Sequence, residues 1–185
     1  MNIVAPRLTI AVDAMGGDQA PGMVVRGLAL AHKRHPHVHF HLYGDEKLVA
    51  PLLRRRFKKA AHAITLHHTS ERVADTDKPS VALRAGRNTS MRLAIDAVAE
   101  GHAAGVVSAG NTGALMVMSK MVLKTLPGID RPAIASIVPT ARGEGVMLDL
   151  GANIQCDAQN LVQFAFFTQV MNTPRFQVFG IANTL

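Results

Sequence analysis

Leu8-Thr9-Ile10-Ala11-Val12-Asp13-Ala14-Met15-Gly16-Gly17-Asp18 is the stretch whose reading decides the fold. Residues 8–12 form a short, β-rich apolar run. Asp13 and the Gly16-Gly17-Asp18 cluster end it in a turn. Pro21 suits the first turn of a helix, and Val24, Val25, Leu28 and Ala31 then recur on one helical face. A strand, a glycine turn and a helix in that order form the opening of a βαβ unit.

The same alternation continues. Residues 38–43 read as a second strand closed by Gly44-Asp45, and residues 46–57 as a second helix. Residues 64–67 form a weaker third strand. Residues 69–88 are polar and irregular, with a short helical segment around 81–85. Residues 89–100 make a clear helix through Met91, Leu93, Ile95, Ala97 and Val98, and Gly101 closes it. Residues 104–108 read as a buried strand. Residues 111–126 are expected to form the longest helix, apolar around most of its circumference and so buried on several sides. Residues 133–138 and 146–150 read as further strands, Asp157 as the cap of a helix to about residue 171, and residues 176–181 as a last strand candidate. Strands alternating with helices predict an α/β fold with a parallel sheet covered on both faces. Right-handed crossovers would then put every strand-to-helix loop at one sheet edge, where ligands bind in such folds.

Composition narrows the function. With 185 residues the chain has the length of one domain, and 48% apolar residues supply a core, which disfavours disorder. The single Cys156 excludes an internal disulfide framework and a Cys-based zinc site, and reads as a structural thiol. A cytoplasmic setting follows as an expectation, supported by a start without a signal-peptide pattern. No stretch approaches the ~20 apolar residues of a membrane span. Twenty Lys and Arg against thirteen Asp and Glu give a net charge of +7, which favours acidic partners. Nucleic acid is disfavoured, because Trp is absent and Tyr43 stands alone among stacking platforms of its kind. Arg54-Arg55-Arg56-Phe57-Lys58-Lys59 follows Leu48, Val49, Leu52 and Leu53, so it reads first as the solvated C-terminal end of a helix and second as an anionic docking patch. His35, His37, His39 and His41 alternate and would line up on one strand face, but they match no metal motif, and no metal or other cofactor is expected.

Three loops at the expected sheet edge carry the candidate chemistry. Ser108-Ala109-Gly110-Asn111-Thr112-Gly113-Ala114 lies between a strand and a helix. Its glycines permit close backbone approach, and free N–H groups with the helix dipole favour an anion. A tight turn with an Asn or Thr cap explains the same residues without a ligand. Asp13-Ala14-Met15-Gly16-Gly17-Asp18 reads mainly as a structural turn whose aspartates cap or orient neighbours. Asp149-Leu150-Gly151-Ala152-Asn153 also follows a strand, and Asp149 and Asn153 either position a ligand or cap the turn. Lys78, Arg84 and Arg131 are candidate cations, although each alone is an ordinary surface residue.

In combination these blocks resemble a known family. Residues 11–18, Asp77-Lys78-Pro79-Ser80, residues 108–116, Gly128-Ile129-Asp130-Arg131-Pro132-Ala133 and residues 148–153 are similar, in order, to the bacterial phosphate acyltransferases of phospholipid synthesis. The resemblance runs from about residue 8 to residue 166, and residues 167–185 depart from it. It implies a Rossmann-like three-layer α/β/α sandwich, apparently truncated, with residues 1–185 as the N-terminal portion of one domain and residues 167–185 as an atypical tail. It also implies a homodimer, peripheral association with the inner face of the membrane, and transfer of a long-chain acyl group from acyl carrier protein to inorganic phosphate. Acyl-CoA as donor, and a truncated module that binds phosphate or carrier without turnover, are the alternatives. Under this resemblance Ser108, Gly110, Asn111, Thr112, Gly113 and Arg131 would hold phosphate. Asn111 and Lys78 would act in catalysis. Asp13, Gly16, Gly17, Asp18, Asp149 and Asn153 would order the loops.

Overall fold

A computed structural model describes residues 8–58, 60–130, 132–141, 143–149 and 156–171. The chain divides into two compact units, Met1–Lys124 and Thr125–Leu185. The first contains β1 (Thr9–Asp13), α1 (Gly22–Arg34), β2 (His39–Gly44), α2 (Glu46–Arg56), β3 (Ile64–His68), α3 (Pro79–Ala85), α4 (Ser90–Ala99), β4 (Gly105–Val107) and α5 (Thr112–Leu123). Its four strands form one parallel sheet in the order β3-β2-β1-β4. This is the expected Rossmann-like α/β architecture.

Strand alternation separates the two faces of the sheet. Val12, Phe40 and Leu42 point to one side and join Val25 and Leu28 of α1 and Val49 of α2 in one apolar cluster. Ala11 and Tyr43 point to the other side and meet Ala94 and Ala97 of α4. Small residues on both sides let α4 lie close to the strands. A third cluster joins Ala82 of α3, Met91 and Ile95 of α4, and Leu115 and Met118 of α5. Leu42 and Ile95 are wholly buried, each such side chain stabilising the fold by roughly 1.5–3 kcal/mol.

The helix ends follow local rules. Asp45 caps α2 by accepting from the Lys47 N–H at 2.9 Å, and Thr89 caps α4 by accepting from the Arg92 N–H at 3.4 Å. Gly101, past the end of α4, has φ +75°, the region where glycine carries no Cβ penalty. Pro21 stands one position before α1 rather than inside it. Arg54, Arg55 and Arg56 form the exposed last turn of α2 above a buried Phe57, which is the helix-end reading of that basic run.

Three expectations need correction. Helix α5 stops at Leu123 and has 12 residues, fewer than the 13 of α1. It buries only Ala114, Leu115 and Met118, while Met121 is 61% exposed. An all-round apolar sequence therefore does not mean all-round burial here. The third correction concerns the second unit, which contains β5 (Ala135–Thr140), β6 (Gly143–Leu148) and α6 (Ala158–Met171). Strands β5 and β6 pair antiparallel, with Ile137 opposite Val146. Only two residues separate them, and a parallel crossover needs a dozen or more. The crossover argument that placed the loop after β6 at the parallel-sheet edge therefore does not apply. Asp157 does cap α6: it accepts from the Asn160 N–H at 2.8 Å, and Asn160 Oδ1 accepts from the Asp157 N–H at 3.2 Å. The strand expected at residues 176–181 lies outside the described residues.

Candidate functional site

The strand order itself selects a place. From β1 the chain runs outward through β2 and β3, then crosses back to lay β4 on the other side of β1. Open α/β sheets bind ligands at such a switch point, outside the carboxyl ends of the two diverging strands. Here those ends carry the loops Asp13–Asp18 and Ser108–Asn111.

Asp13 organises both loops. Its carboxylate is only 2% exposed, yet it accepts three hydrogen bonds. The Met15 N–H donates to Oδ1 at 3.0 Å, the Ser90 hydroxyl donates to Oδ1 at 2.6 Å, and the Ser108 hydroxyl donates to Oδ2 at 2.7 Å. A buried carboxylate is tolerated when its lone pairs are so occupied. Ser108 in turn accepts from the Gly110 N–H at 3.1 Å. One buried carboxylate thus joins the end of β1, the end of β4 and the start of α4. Ser90, absent from the residues singled out by sequence, is the member whose role only the fold reveals. It lies 77 positions from Asp13.

The glycines serve the contact between the two loops. A Cβ on Gly16 would stand 2.5 Å from Asp13 Oδ2 and 2.8 Å from the Gly110 nitrogen. A Cβ on Gly110 would stand 3.1 Å from the Gly16 Cα. Gly17 has φ +97°, so an L side chain there is strained as well. Gly16 and Gly110 therefore back onto each other. The close approach they permit is loop against loop.

Asn111 is committed at both ends of its amide. Its Oδ1 accepts from the Ala114 N–H at 2.9 Å and caps α5. Its Nδ2 faces three backbone carbonyls, those of Asp77 at 2.9 Å, Asp75 at 3.0 Å and Ala74 at 3.4 Å. The Asp77 carboxylate closes that segment by accepting from the Ala74 N–H at 2.8 Å. Asn111 thus holds the segment before Lys78 against the head of α5. A Cβ on Gly113 would stand 2.8 Å from Pro79 Cγ, so the starts of α3 and α5 are also in close approach. Lys78 is exposed at the start of α3.

The remaining donors at this edge belong to the backbone. The N–H groups of Thr112 and Gly113, in the first turn of α5, have no hydrogen-bond partner among the described residues. They carry the partial positive charge of the helix start. Ser108 and Asn111 do not offer such donors, because their polar hydrogens are already engaged. In the structure both side chains hold their loops in place. Asp18 is exposed and makes no hydrogen bond or ion pair among the described residues, so no loop-ordering contact is seen for it. Asp149, in the second unit, has φ +58°, donates its N–H to the Ile134 carbonyl at 2.6 Å, and accepts from Cys156 Sγ at 3.6 Å. Arg131 and Asn153 lie outside the described residues.

Of the four alternating histidines only His39 and His41 lie on β2 and share a face, since His35 ends α1 and His37 lies in the turn before the strand. His39 and His41 of β2 approach at 5.4 Å between ring centroids, His41 and His67 at 4.9 Å, and Tyr43 stacks on His67 at 4.6 Å. Burial pushes the His41 imidazole below the usual histidine value, and neighbouring His67, His39 and His102 push it further. Burial and then His102 do the same to His67. Among the described residues no three His, Cys, Asp or Glu side chains are grouped to hold a metal ion, and no helix is long and apolar enough to cross a membrane.

Comparison with known proteins adds a family to this geometry. The profile of the fatty acid synthesis protein family matches residues 8–175. A phosphate acyltransferase of Rhodospirillum centenum is 62% identical over 169 residues, which is 91% of this chain and 47% of that protein. Phosphate acyltransferases of Paramagnetospirillum magneticum and Rhodospirillum rubrum are 56% and 57% identical over 163 residues, covering 88% of this chain and 46% of each relative. The chain spans just under half the length of these curated relatives.

Proposed function

Because the chain belongs to the fatty acid synthesis protein family, we propose that it carries the phosphate-handling edge of an acyltransferase that moves a long-chain acyl group from acyl carrier protein to inorganic phosphate. The observation that carries this reading is the pair of N–H groups, Thr112 and Gly113, that have no partner among the described residues and lie at the switch point of the sheet. Such a helix start favours a phosphate oxygen.

Phosphate needs placement more than activation, since it is already an anion at neutral pH. One of its oxygens attacks the thioester carbonyl, forming a C–O bond. The C–S bond breaks, the thiolate leaves and takes a proton, and the product is an acyl phosphate. No covalent acyl-enzyme enters this scheme. Lys78, at the head of α3 beside α5, offsets phosphate charge. Asp13, Ser90, Ser108 and Asn111 keep the loops in register without touching the reacting atoms. The exposed Arg54, Arg55 and Arg56 steer an acidic carrier protein, and raising ionic strength should then slow its association. The same reading makes the assembled enzyme a cytoplasmic homodimer working at the inner face of the membrane.

The second reading is a module that binds phosphate without turnover. One experiment separates the two. Phosphate is titrated into the isotopically labelled chain while its amide resonances are followed, and acyl phosphate is then assayed with an acyl carrier protein thioester. Saturable shifts at Thr112 and Gly113 with product formed support the transferase. The same shifts without product support the binding module. Shifts absent from the start of α5 sink both.

A further inference from the structure

Charge is distributed unevenly along α1 and α2. From residue 19 to residue 70 the only carboxylates are those of Asp45 and Glu46, and both stand at the start of α2. Helix α1 finishes in Lys33 and Arg34, helix α2 in Arg54, Arg55 and Arg56, and Lys58 follows; all six are exposed. Each helix leads from the end of one strand to the start of the next in a parallel sheet. Their last turns therefore share one sheet edge, the edge opposite the switch point. Ring contacts join these two ends, since His32 of α1 lies 6.1 Å from Phe57 and 6.5 Å from His62, centroid to centroid. None of the six cations forms an ion pair among the described residues. A helix end carries about half a unit of negative charge, so two of them leave a surplus of about five cations.

We propose that this end of the first unit is a docking surface for a negatively charged lipid bilayer, and that it turns the switch-point edge away from the bilayer. It rests on the membrane placement in the reading above, and it adds the surface and the orientation. The kind of partner follows from what the cations lack around them. Protein interfaces have an apolar core depleted of charge. On α1 and α2 only Leu30, among large apolar side chains that are strongly exposed, lies within a turn of the cations, whereas Leu48 stands near the start of α2. A headgroup surface demands no such core, and clusters of about four to eight Lys and Arg are what meets it. Leu30 shares a helix face with Lys33 and Arg34, one turn on, and reaches the headgroup boundary beside them. Helix α2 spans the height of the sheet in 11 residues, roughly 16 Å, which keeps the phosphate edge in water. Soluble phosphate and a soluble carrier protein arrive there from the solvent side. Attraction of that carrier by the same arginines acts at range and needs no contact.

The absence of Trp makes the orientation measurable. Leu30→Trp, beside the cations, and Val107→Trp, at the carboxyl end of β4, each place one fluorophore at an exposed position. Each variant is mixed with vesicles of brominated phosphatidylcholine, alone or with an equal part of phosphatidylglycerol. We expect quenching of Leu30→Trp on the anionic vesicles only, relieved as salt is raised, and none of Val107→Trp. Cosedimentation of the parent chain with anionic vesicles should weaken at least ~10-fold when Arg54, Arg55 and Arg56 are all changed to Gln, and again when Lys33 and Arg34 are. It should persist when Arg87, Lys120 and Lys124, exposed cations elsewhere in the unit, are changed to Gln. Vesicle binding that is equal in all three charge variants keeps the membrane placement and overturns this surface. Quenching of Val107→Trp overturns the orientation. A parent chain that ignores anionic vesicles overturns the surface and the membrane placement together, while phosphate binding at Thr112 and Gly113 is read separately. Binding of an acidic carrier protein in place of vesicles, lost in the same two variants, overturns the lipid and gives this end to the carrier.

Discussion

The two glycine-bearing loops of the parallel sheet end at the same edge but use their polar groups in opposite ways. In the loop after β1, a buried carboxylate draws donors inward from three directions. In the loop after β4, the side chains turn inward to meet that carboxylate and the segment before α3, while the backbone N–H groups of Thr112 and Gly113 face no partner among the described residues. One loop is an anchor and the other a presenting surface. The difference shows that the polar side chains of a motif are not necessarily its ligand contacts. Here they hold the main chain of both loops in place.

Four measurements can break or sharpen that contrast. The largest effect is expected from Asp13→Ala, which leaves the Ser90 and Ser108 hydroxyls and the Met15 N–H without their acceptor. Denaturant titration should show a loss of about 3 kcal/mol. A loss no larger than that of an ordinary surface change would remove Asp13 as the anchor. Next, Gly16→Ala places a Cβ against Asp13 and the Gly110 backbone, and overpacking of that kind costs about 2 kcal/mol. An unchanged unfolding midpoint would mean that the loops do not back onto each other as described.

Asn111 permits a finer division. Asn111→Ala should cost about 1 kcal/mol through the lost cap of α5. Asn111→Asp keeps the cap acceptor but removes the Nδ2 donors. It should leave α5 protected in hydrogen exchange while residues 74–78 exchange faster. Equal protection of that segment in both variants and the parent would show that the amide does not hold it. The smallest effect concerns His41 and His67. Both have folded values below that of the free side chain, so the unfolded chain binds protons more readily. Stability should therefore decline as pH falls through about 6.5 toward the lower folded values. His67→Gln should flatten that slope, and an unaltered slope would locate the acid sensitivity elsewhere.

Much of this architecture was legible in the sequence, for definable reasons. The period-2 and period-3.6 patterns located β1, β2, α2 and α4 to within a residue or two, because each buries one face against a continuous core. Pairing was harder to read. Residues 133–150 show two apolar runs that look alike whether their partners are parallel or antiparallel. The deciding clue was the interval between them, too short for a helix. At the candidate site, the loops were legible from their glycines and helix-start pattern, but the direction of each side chain was not. The hydrogen bonds of Ser108 and Asn111 were not legible, because their acceptors, Asp13 and the carbonyls of residues 74–77, are remote in sequence. Ser90 has no local signal for the same reason.

Strand β4 has a practical consequence for handling the protein. It is three residues long and pairs with β1 on one side, while its other side is the end of the strand order. Among the described residues no strand pairs with that side, and such an edge beside a half-exposed valine is a template for another polypeptide strand. Concentrated samples should therefore self-associate through this edge sooner than through the charged helices. Sample concentration, and additives that shield an open strand, then become the variables to control before any kinetic or binding measurement is interpreted.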